Sequence, residues 1–187
     1  MEAEKRDADE TSRPTVRVMT WNIHGGVGPD RLHDLERVVA LIRHIDPDVL
    51  ALQEVDSRRT PGGEHPMAML TRVLGHHGVA AAAITTADGD YGQVLMSRWP
   101  FVATEIHDIS VPGREPRRAI ETQIDSPAGT FCLVATHLGL RLVERRRQAG
   151  QLVRLAQRCT TTMVMPWYAG SSSPSRPPVP CRMRAIW

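Results

Sequence analysis

The sequence predicts an α/β protein, and three observations carry that prediction. Residues 16–53 read as strand, helix and strand, with the spacing of a right-handed crossover between parallel strands. Residues 119–136 read as two strands folded back across Ser126-Pro127-Ala128-Gly129. Residues 141–158 have a helical pattern, apolar at Leu142, Ala149, Leu152, Val153 and Ala156. A chain of 187 residues, 41% hydrophobic and 24% charged, suits one domain with a packed core.

The first residues, Met1-Glu2-Ala3-Glu4-Lys5-Arg6-Asp7, are charged and no apolar run follows them. They do not read as a secretory signal, and residues 1–14 are expected to form a disordered arm. Residues 16–21 are apolar apart from Arg17 and Thr20, as in a strand buried on both faces. Gly25-Gly26-Val27-Gly28-Pro29 makes a turn, after which Asp30 is placed to cap a helix. Leu32, Leu35, Val38, Val39 and Ile42 give that helix one apolar face, and Pro47 ends it. Residues 48–53 form the next strand. A loop containing Pro61-Gly62-Gly63 leads to a short helix over 67–74, and His76-His77 reads as a surface turn. Strands are expected at 79–85 and 91–97 around Asp88-Gly89-Asp90, then at 101–109, before the hairpin. Gly150 weakens the last helix by about 1 kcal/mol relative to Ala. Beyond Cys159 the Ser/Pro/Arg-rich composition shows neither period, so 159–187 is expected to be an irregular or disordered tail.

Composition narrows the function classes. A net charge of +2 is too small to argue for nucleic acid or an anionic membrane. No apolar stretch approaches the roughly 20 residues that a membrane span needs. Cys132, Cys159 and Cys181 lack metal-ligand spacing, which favours buried thiols in a reducing, cytoplasmic compartment over a disulfide framework. Arg145-Arg146-Arg147 sits on a helix without interleaved aromatics and reads as exposed charge.

The chemistry lies where strand-like runs end in polar residues: Asn22 after Thr20-Trp21, Glu54 after Leu52-Gln53, and His137 after Ala135-Thr136. A glutamate at a strand end offers the carboxylate oxygen that Mg²⁺ requires, Mn²⁺ being the alternative ion, while water and substrate phosphate complete the shell. The other reading of Glu54 is a solvated strand-end carboxylate. Asn22, the only asparagine, can support a metal and water network or satisfy local backbone at a strand-to-turn junction. His137 can donate to a phosphate oxygen or protonate a leaving group, or be structural.

In this order the three runs resemble the endonuclease/exonuclease/phosphatase superfamily. Tyr91-Gly92-Gln93-Val94-Leu95-Met96-Ser97-Arg98 is similar to the family's Gly-Asn-x-x-Leu-Ser-Arg segment, with Gln93 in place of the usual Asn. Arg117 and Arg118 resemble its arginine near the scissile phosphate, Arg118 being the preferred of the two. The resemblance implies a two-sheet sandwich flanked by helices in four layers, α/β/β/α, over residues 15–158. It also implies metal-dependent hydrolysis of phosphate esters. Glu54 and Asn22 would serve the metal, His137 and Asn22 catalysis, and Arg118, His24 and Gln93 the phosphate. Nucleic acid, inositol phosphates and phospholipid headgroups are all substrates within the superfamily.

The family's Gly-Asp-x-Asn and Ser-Asp-His motifs are absent: no Asp or His follows His137, and no Asn follows Asn22. Hydrolysis is therefore expected to be impaired, and a non-catalytic fragment or phosphate-ligand binding module is the alternative. The second sheet is expected to lack its last strands and to expose an edge. Read two bases out of frame, the junctions from Met165-Pro166 to Ala169-Gly170 permit Ala-Val-Val-x-Gly, similar to the strand leading into the missing motif. A frameshift near residues 158–162 is the expected cause, and an unshifted frame in independent isolates would refute it.

Overall fold

The computed structural model describes residues 15–59, 63–158, 162–167 and 182–186. Two sheets pack face to face with helices outside them. The first has the order β3-β4-β2-β1-β9 and the second β5-β6-β7-β8, where β1 is Thr15–Asn22, β2 Val49–Asp56, β3 His77–Thr86 and β4 Gly89–Ser97. In the second sheet β5 is Phe101–Asp108, β6 Arg118–Ser126, β7 Gly129–His137 and β8 Thr162–Trp167; β9 is Arg182–Ile186. The helices are α1 Leu35–Ile45, α2 Pro66–Leu74 and α3 Leu142–Ala156.

The crossover predicted at the start of the chain is present: β1 and β2 are parallel, in register from Val18 against Val49 to Asn22 against Gln53. α1 joins them, but it begins later than expected. Asp34, not Asp30, is its N-cap, accepting from the Arg37 N–H at 2.9 Å. Asp30 instead accepts from the Leu32 N–H at 3.0 Å and pairs with the Arg37 side chain at 2.7 Å. Leu32 consequently stands outside the helix, 63% exposed. His77 belongs to β3 and not to a turn.

Three apolar clusters glue the layers. Between the sheets lie Val16, Val18, Val49, Ala51 and Leu95 against Ile120, Ile124, Phe131, Leu133 and Ala135. Met19, Leu50, Leu52, Val94 and Met96, on the other face of the first sheet, pack on Val38, Val39 and Ile42 of α1 and Leu70 of α2. Ala119 and Val134 meet Leu152 and Leu155 of α3. Each strand buried on both faces reads as a near-continuous apolar run for this reason.

α3 departs from its apolar pattern. Leu142 and Val153 are 63% and 56% exposed, whereas Glu144 and Gln148 are buried. Gln148 Oε1 accepts from the Gly139 N–H at 2.8 Å and Arg145 Nε donates to the Gly139 carbonyl at 3.0 Å, so the helix spends this face on the loop after β7. A side chain at Gly139 would collide with the Glu144 carboxylate.

Two further expectations are corrected. Within the segment read as an irregular tail, β8 pairs parallel with β7 and β9 parallel with β1, so the β7 edge is covered. The Thr-Met-Val-Met stretch of β8 is itself strand-compatible in composition. The remainder of 159–187, the 1–14 arm and residues 60–62 of the Pro-Gly loop lie outside the described residues. Cys132, expected as a free thiol, is disulfide-bonded, which removes the ground for a reducing compartment.

Candidate active site at one end of the sandwich

Several rows of side chains facing between the sheets turn from apolar to polar at the same end. Along β1 the row is Val16, Val18, Thr20, Asn22, along β2 Val49, Ala51, Gln53, and along β7 Phe131, Leu133, Ala135, His137. On β4 it is Leu95, Gln93, Tyr91. Because strand side chains alternate, the polar residue closing each row faces the space its apolar predecessors fill.

Glu54 reaches that end through a backbone irregularity. The β2–β4 register shifts between Gln53 and Val55, and Glu54 adopts φ +56°. Regular alternation would send it after Leu50 and Leu52 into the apolar layer under α1, where an unpaired carboxylate is costly. The bulge re-aims the side chain instead, at about 1–2 kcal/mol for a left-handed non-glycine residue. Glu54 is thus an interior residue of β2, not its end.

Nitrogen atoms flank both carboxylate oxygens. Asn22 Nδ2 donates to Glu54 Oε1 at 2.7 Å, and His24 Nδ1 lies 3.1 Å from Oε2. The Asn22 amide oxygen accepts from the His24 backbone N–H at 3.1 Å. One amide therefore closes the turn and holds the carboxylate. His137 Nε2 stands 3.9 Å from Glu54 Oε1. Burial, with the positive charge of Arg117 next in weight, pushes the His137 pKa down to about 4, so its ring is neutral near pH 7.

The remaining predicted residues divide. Gln93 donates its amide to the Arg118 carbonyl at 2.9 Å and the Ala135 carbonyl at 3.4 Å, tying the sheets together. Arg118 pairs with Asp108 at 2.7 Å and reaches Ser110 Oγ at 3.3 Å. Arg117 is the more buried arginine, 6% exposed; it pairs with Glu115, and its Nε has no hydrogen-bond partner among the described residues. Arg117, Arg118, Gln93 and His137 line one small pocket with Tyr91.

Tyr91 also lines an open cleft of about 530 Å³ that begins at Glu54 and extends over His24, Asp56, Arg58 and Arg59. Burial, then the negative charges of Glu54 and Glu115, raises the Tyr91 hydroxyl to about 12, keeping it a donor. Asp56, Arg58 and Arg59 were not singled out from sequence, although they follow Glu54 directly in Glu54-Val55-Asp56-Ser57-Arg58-Arg59. Glu54 suits a hard divalent cation: its carboxylate opens on the cleft, and Mg²⁺ takes one or two protein carboxylates with water and phosphate. A separate group, Glu105, His107 and Glu121, holds its ligand atoms within 4.8 Å of one another on the second sheet, where His107 Nε2 already meets Glu121 Oε2 at 2.7 Å.

Comparison with known proteins bears on this arrangement. YbhP of Escherichia coli is 29% identical over 161 residues, covering 80% of this chain and 62% of that protein. The chain thus spans less than two thirds of that relative's length. A crystal structure of an endonuclease/exonuclease/phosphatase from Beutenbergia cavernae is 29% identical, with TM-score 0.60, over 75% of this chain and 43% of its own. The human Nocturnin catalytic domain shares the fold at 18% identity, TM-score 0.58, over 81% of this chain and 63% of its own. The model of the endonuclease/exonuclease/phosphatase family matches residues 19–183, and the chain belongs to that family.

Proposed function

We propose that this chain holds a divalent cation, Mg²⁺ or Mn²⁺, at Glu54 and a phosphate ester beside it, as part of a metal-dependent phosphoesterase or nuclease. The observation that carries the reading is the convergence on one carboxylate: Asn22 at 2.7 Å, His24 at 3.1 Å and His137 at 3.9 Å, drawn from both sheets. A cation bound at Glu54 supplies positive charge for a phosphate oxygen during attack by water. Asn22 keeps the carboxylate aimed at the cleft. His137, neutral near pH 7, donates an N–H to a non-bridging oxygen, and the buried Arg117 guanidinium adds charge complementary to a phosphate. Arg117 suits this better than Arg118 because it is the more buried of the two and its Nε has no hydrogen-bond partner among the described residues.

Activation of water is the weak part of the set. The cleft carboxylates are each engaged: Asp56 by Arg58 and Arg59, Glu115 by Arg117, and Glu54 by Asn22. Slow hydrolysis with retained binding is the expected behaviour, and that observation favours the second reading, a phosphate-ligand binding module. The test pairs a phosphodiesterase assay in Mg²⁺ with calorimetric titration of phosphate. Binding that needs both Mg²⁺ and Glu54, with little turnover, supports the proposal. Binding indifferent to E54Q overturns it, and rapid turnover overturns the impaired-hydrolysis part.

A further inference from the structure

We propose that the cleft beside Glu54 carries a second anion subsite, built on Arg59, that takes a second phosphoryl group of the same ligand. This rests on the reading of Glu54 and its neighbours as the first phosphate site.

The two arginines after β2 are not equivalent. Arg58 meets the buried Asp56 through two bonds, Nε to Oδ1 at 2.7 Å and Nη2 to Oδ2 at 3.1 Å, and its guanidinium stands 5.0 Å from the centre of the Tyr91 ring. Its hydrogen-bonding edge and one face are thereby spent. Arg59 touches Asp56 through Nε alone, at 3.4 Å, and its side chain is 50% exposed. The terminal nitrogens of Arg59 have no hydrogen-bond partner among the described residues, and the residue lines the cleft.

Charge points the same way. Asp56 is the carboxylate that meets both arginines, Arg58 Nε at 2.7 Å and Arg59 Nε at 3.4 Å. One carboxylate against two guanidinium groups leaves one positive charge over. The place of that charge is set by Gly25, which adopts φ +63°: a Cβ there would lie 2.6 Å from Arg59 Nε. The arginine lies across this turn against Gly25, one residue from His24, whose ring meets Glu54 at 3.1 Å. A terminal guanidinium edge so placed matches a phosphoryl group adjacent to the one at Glu54.

The experiment is calorimetric titration in Mg²⁺ of propyl phosphate, a short-chain diol bisphosphate and a terminally phosphorylated thymidine dinucleotide. Each is measured on the wild type, R59A, R59K and E54Q. The bisphosphate is expected to bind the wild type about tenfold or more tightly than the monophosphate, the worth of a charge-assisted contact. R59A brings that ratio close to one, and R59K, which keeps the charge and guards against misfolding, recovers part of it. An Arg59-dependent gain shared by the dinucleotide supports a nucleic-acid source for the second phosphate; a gain confined to the diol supports a small polyphosphorylated ligand. No gain with either ligand, or a gain that survives R59A, overturns the subsite. Monophosphate binding that ignores E54Q instead overturns the first-site reading on which it rests.

Discussion

The neutral, buried His137 makes the metal-free protein sensitive to mild acid, and the size of the effect can be worked out. Burial and Arg117 lower its pKa to about 4, against about 6.5 in an unfolded chain. A base whose folded pKa is depressed contributes stability that is complete above the unfolded value and is lost as pH falls toward the folded one. Between about pH 7 and about pH 5 the unfolded chain takes up the proton and the native state does not, a loss of about 2 kcal/mol. The side chain is only 9% exposed, so solvent screening takes little from that figure. The window also avoids Asp30, Asp46, Asp56, Glu64 and Asp108, whose carboxyls are held below their usual range and titrate at lower pH. The assay is thermal unfolding in chelator at both pH values for the wild type and H137Q, which replaces the ring with a neutral amide. The wild type is expected to lose roughly 4–8 °C more than the variant across the window. Equal losses in the two proteins would refute the claim that His137 is buried uncharged.

Other outcomes follow from single contacts. Removing the α1 cap with D34A should cost about 1 kcal/mol in urea unfolding, while D30A, outside the helix, should cost less. In β4, a Cβ on Gly92 would lie 2.2 Å from the Ala81 carbonyl oxygen, a backbone atom of the paired strand, so G92A should destabilise by about 2 kcal/mol or more. Mg²⁺ at saturating concentration should raise the melting temperature of the wild type and not of E54Q, with N22A intermediate because its carboxylate is present but unfixed.

Much of the fold was legible because periodicity and turn chemistry agree along most of the chain. The crossover through α1, the 119–136 hairpin and the polar closure of the β1 and β7 rows at Asn22 and His137 all follow from alternation. Three features were not legible, each for a physical reason. The bulge at Glu54 needs a left-handed glutamate, which no local residue preference announces, so β2 read as ending there. The α1 start was ambiguous between Asp30 and Asp34, both good caps, until the Arg37 side chain claimed Asp30 and the Arg37 N–H claimed Asp34. The buried face of α3 holds Glu144 and Gln148 because it satisfies the backbone at Gly139, a demand from another segment that apolar spacing does not encode. At the site, the pairing of Asn22 with Glu54 was within reach of the motifs. The split between Arg117 and Arg118 was not, since adjacent arginines differ only in which carboxylate the fold brings to each.

Crystals soaked in Mn²⁺ with phosphate and recorded at the manganese edge give the most direct test. An anomalous peak within bonding distance of the Glu54 carboxylate, with phosphate facing His137 and Arg117, is the predicted result. A peak only at Glu105, His107 and Glu121, or an empty map at Glu54 under saturating metal, would contradict it.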